Sequence, residues 1–149
     1  MILPALIEAN APGYRRIKYA LFPPLGLASL ASYLDPADEV ELLDEHVQAP
    51  LDLTDTPDLV VMSVYITSSR RAWAIADAYR ARGAYVCVGG LHPSSLPDEA
   101  SRHADTVCIG PGEGPWQAFL ADFRDGTPRA RYESQPRDAH PGRAAARST

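Results

Sequence analysis

Three short runs in this chain are apolar at almost every position: "DLVVMSV" (Asp58 to Val64), "AYVCVGG" (Ala84 to Gly90) and "DTVCIG" (Asp105 to Gly110). Their length and β-branched content mark them as strands, and a strand with no polar face must be covered on both sides. The segments between them supply the cover. Leu27, Leu30, Ala31 and Leu34 recur at helical spacing behind Pro23–Pro24. Ala72, Ile75, Ala76 and Tyr79 repeat that spacing, with Gly83 as a stop. Leu96 to His103 reads as a short helix with Ser95 as its N-cap and Pro97 in its first turn. Trp116, Phe119, Leu120 and Phe123 form the last stripe, ended by Gly126.

Two further runs read as strands: "PALIEA" (Pro4 to Ala9), with Pro4 at its edge, and "VELLDEH" (Val40 to His46). Strands alternating with helices define a parallel sheet covered on both faces. The expectation is therefore an α/β, doubly wound, flavodoxin-like (Rossmann-like) five-stranded parallel sheet. A chain of 149 residues, 46% hydrophobic and 22% charged, is enough for one such domain. The domain is expected over residues 1–132. Residues 133–149, rich in Arg, Ala and Pro and without periodicity, are expected to be a disordered basic tail.

Charge narrows the function. Residues 1–126 hold 9 basic and 17 acidic side chains, and residues 127–149 hold 5 arginines and 2 acids. The folding part is thus acidic, which argues against a nucleic-acid partner. No run approaches the roughly 18 apolar residues that span a bilayer. "MILPALIEANAPGYRRIK" has no basic start before its apolar run, so it does not read as a secretory signal. The expected location is cytoplasmic, and Cys87 and Cys108, both in apolar runs, are read as buried reduced thiols.

In doubly wound sheets ligands bind outside the carboxyl ends of the strands. The relevant loops are Asn10 to Phe22, Tyr65 to Ser69, Gly89 to Ser94 and Gly110 to Gly114. Gly89–Gly90 permit close backbone approach to a ligand, or simply a tight strand-to-helix turn. His92 reads as a hydrogen-bonding or coordinating group, or simply as an exposed loop residue. Ser63, Thr67, Ser68 and Ser69 offer hydroxyls, of which one is expected to cap the following helix. "GPGEGPW" (Gly110 to Trp116) has the G-x-G-x-G spacing of a methyltransferase glycine loop, but it follows the fifth strand rather than the first. Glu113 is better placed at the start of the last helix, where the dipole favours a carboxylate. Asp44-Glu45-His46 has the spacing of a carboxylate-supported metal ligand, but a polar strand end is the preferred reading. There is no nucleophile–base constellation and hence no complete active site. A phospho-receiver reading fails, because "EAN", "SVYITSS" and "GPGEG" lack its acidic pair, its central Asp and its Lys.

Several stretches in order resemble one family. "FPPLGLASLASYL" (Phe22 to Leu34) is similar to the first helix of the cobalamin (B12)-binding domain of B12-dependent radical S-adenosylmethionine enzymes. The "GG-x-H-P" turn, the "P-[DE]-E-A…AD" helix and strand, and the "G-x-G-E…W" close resemble the rest of it. The resemblance covers roughly Leu21 to Tyr132. It implies cobalamin as the cofactor, in a cleft lined by Gly89, Gly90, Leu91, His92 and Pro93. Ser63, Thr67 and Ser68 would flank the cleft, and Gly110, Gly112 and Glu113 would close it.

Two departures qualify what is implied. The D-x-H-x-x-G motif that gives cobalt a histidine should follow the first strand, where this chain reads "NAPGYRR". The cluster motif C-x-x-x-C-x-x-C is absent. The family thus implies a binding module whose catalytic half is a separate radical enzyme, or a remnant of such an enzyme. The alternative is a flavodoxin-like module for another nucleotide-type ligand or a protein partner.

Overall fold

The computed structural model describes residues 1–4, 25–45 and 51–135. The elements run β1 (Ile2–Leu3), α1 (Leu25–Ala31), β2 (Leu43–Asp44), β3 (Leu59–Ser63), α2 (Ser69–Ala81), β4 (Tyr85–Gly89), α3 (Leu91–Ser95), α4 (Pro97–His103), β5 (Thr106–Ile109), α5 (Glu113–Arg124) and β6 (Arg131–Glu133). A single 3₁₀ turn, Ile66–Ser68, leads into α2. The strands form one sheet in the order β2-β1-β3-β4-β5-β6. Every pairing is parallel.

The two-faced burial that the apolar runs demand is realised residue by residue. Val60, Met62, Val86, Val88 and Val107 pack on one face with Ala72, Ile75, Ala76 and Tyr79 of α2 and Ala100 of α4. The intervening Val61, Cys87 and Cys108 pack on the other with Trp116, Phe119 and Leu120 of α5 and Tyr132 of β6. Leu30 and Leu34 join this second layer. Val86, Val88 and Val107 are fully buried, and each such side chain contributes about 1.5–3 kcal/mol relative to exposure. Trp116 pins α1 to this face, its indole N–H donating to the Leu30 carbonyl at 2.9 Å.

Three expectations are corrected, and a fourth lies largely outside the described residues. The sheet has six strands rather than five, because Arg131–Glu133 pairs with β5. That strand is held by Tyr132, which is buried and donates its hydroxyl to Asp122 at 2.7 Å. Just after this strand the Ser134 N–H donates to the Ile109 carbonyl at 3.0 Å. At the amino end the strand is Ile2–Leu3, and residues 5–9 of the expected run lie outside the described residues. The second strand is confined to Leu43–Asp44, with His46 outside the described residues. Ser95 does not cap α4: it lies in α3, and its hydroxyl donates back to the Leu91 carbonyl at 2.9 Å, leaving Leu96 at the cap and Pro97 at N1.

Cys87 and Cys108 are free and buried on the central strands, their sulfurs 3.9 Å apart. The hydrogen bond with the Cys108 thiol, and then burial, push the Cys87 thiol well above its ordinary range. Among the described residues no helix is long and apolar enough to cross a membrane.

Candidate functional site

The carboxyl ends of β3, β4 and β5 converge on one edge, and backbone contacts lock two of them together. β3 runs beside β4 with Ser63 opposite Gly89. The Val64 N–H donates to the Gly89 carbonyl at 2.8 Å, and the His92 N–H donates to the Val64 carbonyl at 3.2 Å. Gly90 turns between these bonds with φ +110°. A Cβ there would stand 2.8 Å from the Val64 carbonyl oxygen and 3.0 Å from its nitrogen, so no other residue fits. The third strand end is tied across by Ser94, whose hydroxyl accepts from the Gly110 N–H at 2.9 Å. Ser94 was not among the residues singled out in the sequence, since nothing local marks its reach.

The hydroxyls divide into free and committed. Ser68 is buried, and its oxygen accepts from the Tyr65 N–H at 3.2 Å and donates to the Tyr65 carbonyl at 3.3 Å. It is the serine that organises the helix entrance. Ser69 donates to the Ile66 carbonyl at 3.0 Å. Ser63 is half-buried and Thr67 exposed, and neither hydroxyl has a partner among the described residues.

His92 is not a loop residue on the surface. It lies in α3, 6% exposed. Its Nε2 stands 3.1 Å from Glu99 Oε1, the same oxygen that accepts from the Trp73 indole N–H at 2.8 Å. The Trp73 ring stacks on His103 at 5.0 Å and tilts against His92 at 5.8 Å. The Trp73 and His92 hydrogen bonds hold the Glu99 carboxyl below its ordinary value. The imidazole therefore serves as a strut beneath the turn, with Pro93 buried beside it. Its Nδ1 is buried without a hydrogen-bond partner.

Gly112 caps α5 and Glu113 is its first residue, exposed, as the dipole argument requires. Glu45 accepts a two-point contact from Arg71, at 2.6 and 3.1 Å, which fits a structural role for the polar strand end. The sequence also gave no warning of an apolar surface here. Tyr65, Ile66 and Leu91, which directly follow β3 and the β4 turn, are 46%, 69% and 65% exposed.

A doubly wound parallel sheet whose carboxyl edge gathers glycine turns, free hydroxyls and exposed apolar side chains is a small-molecule-binding α/β domain. The family described as "B12 binding domain" matches residues 19–120, and the chain belongs to it. Cobalamin is the cofactor of that family, as the sequence resemblance implies. The chain is 34% identical over 111 residues to a bacteriochlorophyllide d C-8(2)-methyltransferase of Chlorobaculum tepidum, covering 74% of this chain and 25% of the relative. It is 31% identical over 117 residues to the C-12(1)-methyltransferase of the same organism, covering 77% and 25%. The chain thus spans about a quarter of the length of these relatives. Among solved structures, the N-terminal domain of a hypothetical protein from Thermotoga maritima is similar at 20% identity and TM-score 0.49, covering 81% of this chain and 97% of that one.

Proposed function

We propose that the carboxyl edge of this domain holds cobalamin, and that Gly89 is the position where the cofactor comes closest to the backbone. One observation carries the assignment. A Cβ on Gly89 would meet nothing nearer than Cys108 Cβ at 3.5 Å, an ordinary contact, and its φ is not positive. The fold does not require glycine there, so a ligand is the natural reason for one. Around it lie groups suited to an amphiphilic macrocycle with a nucleotide tail. The free hydroxyls of Ser63 and Thr67 would bond the polar groups of the tail. Leu91, Ile66 and Tyr65 would lie against the ring. Gly90, Ser68, His92 and Pro93 would set the shape of the cleft rather than touch the metal. Gly110, Gly112 and Glu113 would close it from β5.

When bound, cobalamin supplies a cobalt centre able to carry a methyl group or act as a redox centre. The residues here position it and carry no chemistry themselves. The catalytic half would belong to a radical enzyme domain bearing C-x-x-x-C-x-x-C, a motif the two buried cysteines cannot replace. Methyl transfer is the reaction class that the two Chlorobaculum relatives favour.

The test is retention of hydroxocobalamin. Protein mixed with the cofactor and desalted should keep about one equivalent, read from its visible absorbance. Leu91→Glu should lose it while keeping the wild-type circular dichroism. A wild-type protein that retains none under aerobic and reducing conditions overturns the assignment for this chain.

A further inference from the structure

No sequence pattern announces β6, yet it brings to the carboxyl edge a residue that the cofactor assignment does not use. Ser134 directly follows β6, and its N–H donates to the Ile109 carbonyl at 3.0 Å. Its side chain stands beside Gly110, where a Cβ on the glycine would fall 2.1 Å from Ser134 Oγ. Ser94 reaches the same glycine from α3, its oxygen accepting from the Gly110 N–H at 2.9 Å. Two hydroxyls thus flank one strand end.

Their bonding sets them apart from the other shielded hydroxyls of the domain. Ser68, Ser69, Ser101 and Thr106, all buried or half-buried, donate to backbone carbonyls at 3.3, 3.0, 2.8 and 2.7 Å. Ser63, Ser94 and Ser134 are half-buried too, but their hydroxyls donate to no described residue. All three lie at the carboxyl edge. Ser63 closes β3, Ser94 is bound to the end of β5, and Ser134 follows β6. A half-buried O–H whose proton is uncommitted is matched by an acceptor that a ligand brings. Two backbone bonds hold Ser94 Oγ and the Ser134 main chain in place beforehand, so little ordering is left to pay for on binding.

Position and charge select the acceptor. β6 lies three strand spacings from β3, roughly 14 Å. A nucleotide tail held at Ser63 and Thr67 leaves the β5–β6 end to the corrin ring, whose rim carries primary carboxamides. Their oxygens accept hydrogen bonds and bear no net charge. Glu113 opens α5 three residues after Gly110, and Glu133 of β6 lies opposite Ile109. Both are exposed. A phosphate or carboxylate at Gly110 would be repelled by these side chains, whereas a carboxamide is not.

We propose that Ser94 and Ser134 bind the rim of the corrin ring, their hydroxyls donating to carboxamide oxygens, so that the site extends across β5 to the sixth strand. The inference rests on the cobalamin assignment and adds to it the half of the edge that holds the ring rather than the tail.

The test compares two ligands. Hydroxocobalamin carries ring and tail; diaquocobinamide keeps the ring and its carboxamides but lacks the nucleotide. Each is titrated into the full chain by equilibrium dialysis and read by visible absorbance. Ser134→Ala removes a hydroxyl and leaves the N–H bond to Ile109, and its melting curve verifies the fold. It should weaken both ligands about five-fold, the worth of one hydrogen bond. Ser94→Ala should weaken both at least as much, since it also frees the Gly110 N–H. Unchanged binding of both ligands by Ser134→Ala would overturn the extension to β6 and leave the cobalamin assignment standing. Weakened hydroxocobalamin beside unaltered or absent cobinamide binding would put the hydroxyls on the tail and overturn the carboxamide assignment. A wild-type chain that binds neither ligand would overturn the cobalamin assignment itself, and this inference with it.

Discussion

Gly90 and Gly110 end neighbouring strands at positive φ, +110° and +84°, yet different atoms occupy the space beside them. Gly90 abuts backbone: the Val64 carbonyl and nitrogen, both already committed to the bonds that join β3 to the turn. Gly110 abuts a side chain: a Cβ there would fall 2.1 Å from Ser134 Oγ. A backbone obstacle can move only if the sheet moves. A side-chain obstacle can be removed by one substitution. Two glycine turns that look equivalent in sequence therefore differ in how much of the domain depends on each.

The largest expected effect follows from the backbone case. Gly90→Ala combines an unfavourable φ with a contact that only a shift of β3 can relieve, and should cost about 3 kcal/mol or more. Thermal unfolding should show a fall in Tm of about 10 °C. No second substitution at Val64 should restore it, since the clashing atoms are common to every residue. A stable Gly90→Ala protein would break the comparison at its strong end.

Gly110→Ala should cost less, about 2 kcal/mol, from its φ and the displaced Ser134. Here a rescue exists. With Ser134→Gly in the same chain the obstacle is gone and the Ser134 N–H bond to Ile109 remains available. The double variant should be about 1 kcal/mol more stable than the sum of the singles predicts, in a double-mutant cycle read by denaturant unfolding. Strict additivity would mean that Ser134 plays no part in the difference.

The first turn also rests on a titratable strut that the second lacks. Glu99 holds Trp73 of α2 and His92 of α3, and these bonds depress its folded-state pKa below the ordinary 4.5. A depressed carboxylate contributes stability that is fully present above its unfolded value and lost as pH falls through its folded value. Wild-type stability should therefore decline as pH drops from about 4.5 downward, and Glu99→Gln should flatten that part of the curve. The effect is smaller than that of either glycine, because the carboxylate is 39% exposed and screened by water. Parallel wild-type and Glu99→Gln profiles below pH 4.5 would remove Glu99 from the account.

What the sequence made legible tracks how local each determinant is. β3, β4 and β5 could be read because three consecutive buried residues in each leave no other solution. α2 and α5 could be read because their apolar residues recur at helical spacing. β6 could not, since Tyr132 is its one buried residue between two exposed ones, and a single aromatic has no period. The inward turn of His92 was also hidden. A histidine after two glycines looks like a loop ligand, and only Glu99 and Trp73, brought over by α4 and α2, give its ring a buried partner. Ser95 followed the capping rule in sequence but lost the cap to a helix that forms one turn earlier. The site was legible as a set of loops, while the division between framing and free residues needed the tertiary contacts.

The smallest expected effect on stability is the most informative about function. Gly89 and Gly90 are adjacent, but only Gly90 is required by the fold. Gly89 closes β4 opposite Ser63, and an added methyl would sit in ordinary contact with Cys108. Alanine also loses less backbone entropy on folding than glycine, which offsets any slight crowding. Gly89→Ala should therefore leave stability within about 0.5 kcal/mol of wild type. A cofactor seated against that backbone would still meet the methyl, so hydroxocobalamin retention should fall sharply in a protein that melts normally. Loss of retention with an unchanged Tm would separate the ligand's demand for glycine from the fold's. Full retention would move the closest approach of the cofactor away from β4, toward the β3 hydroxyls or the Gly110 turn.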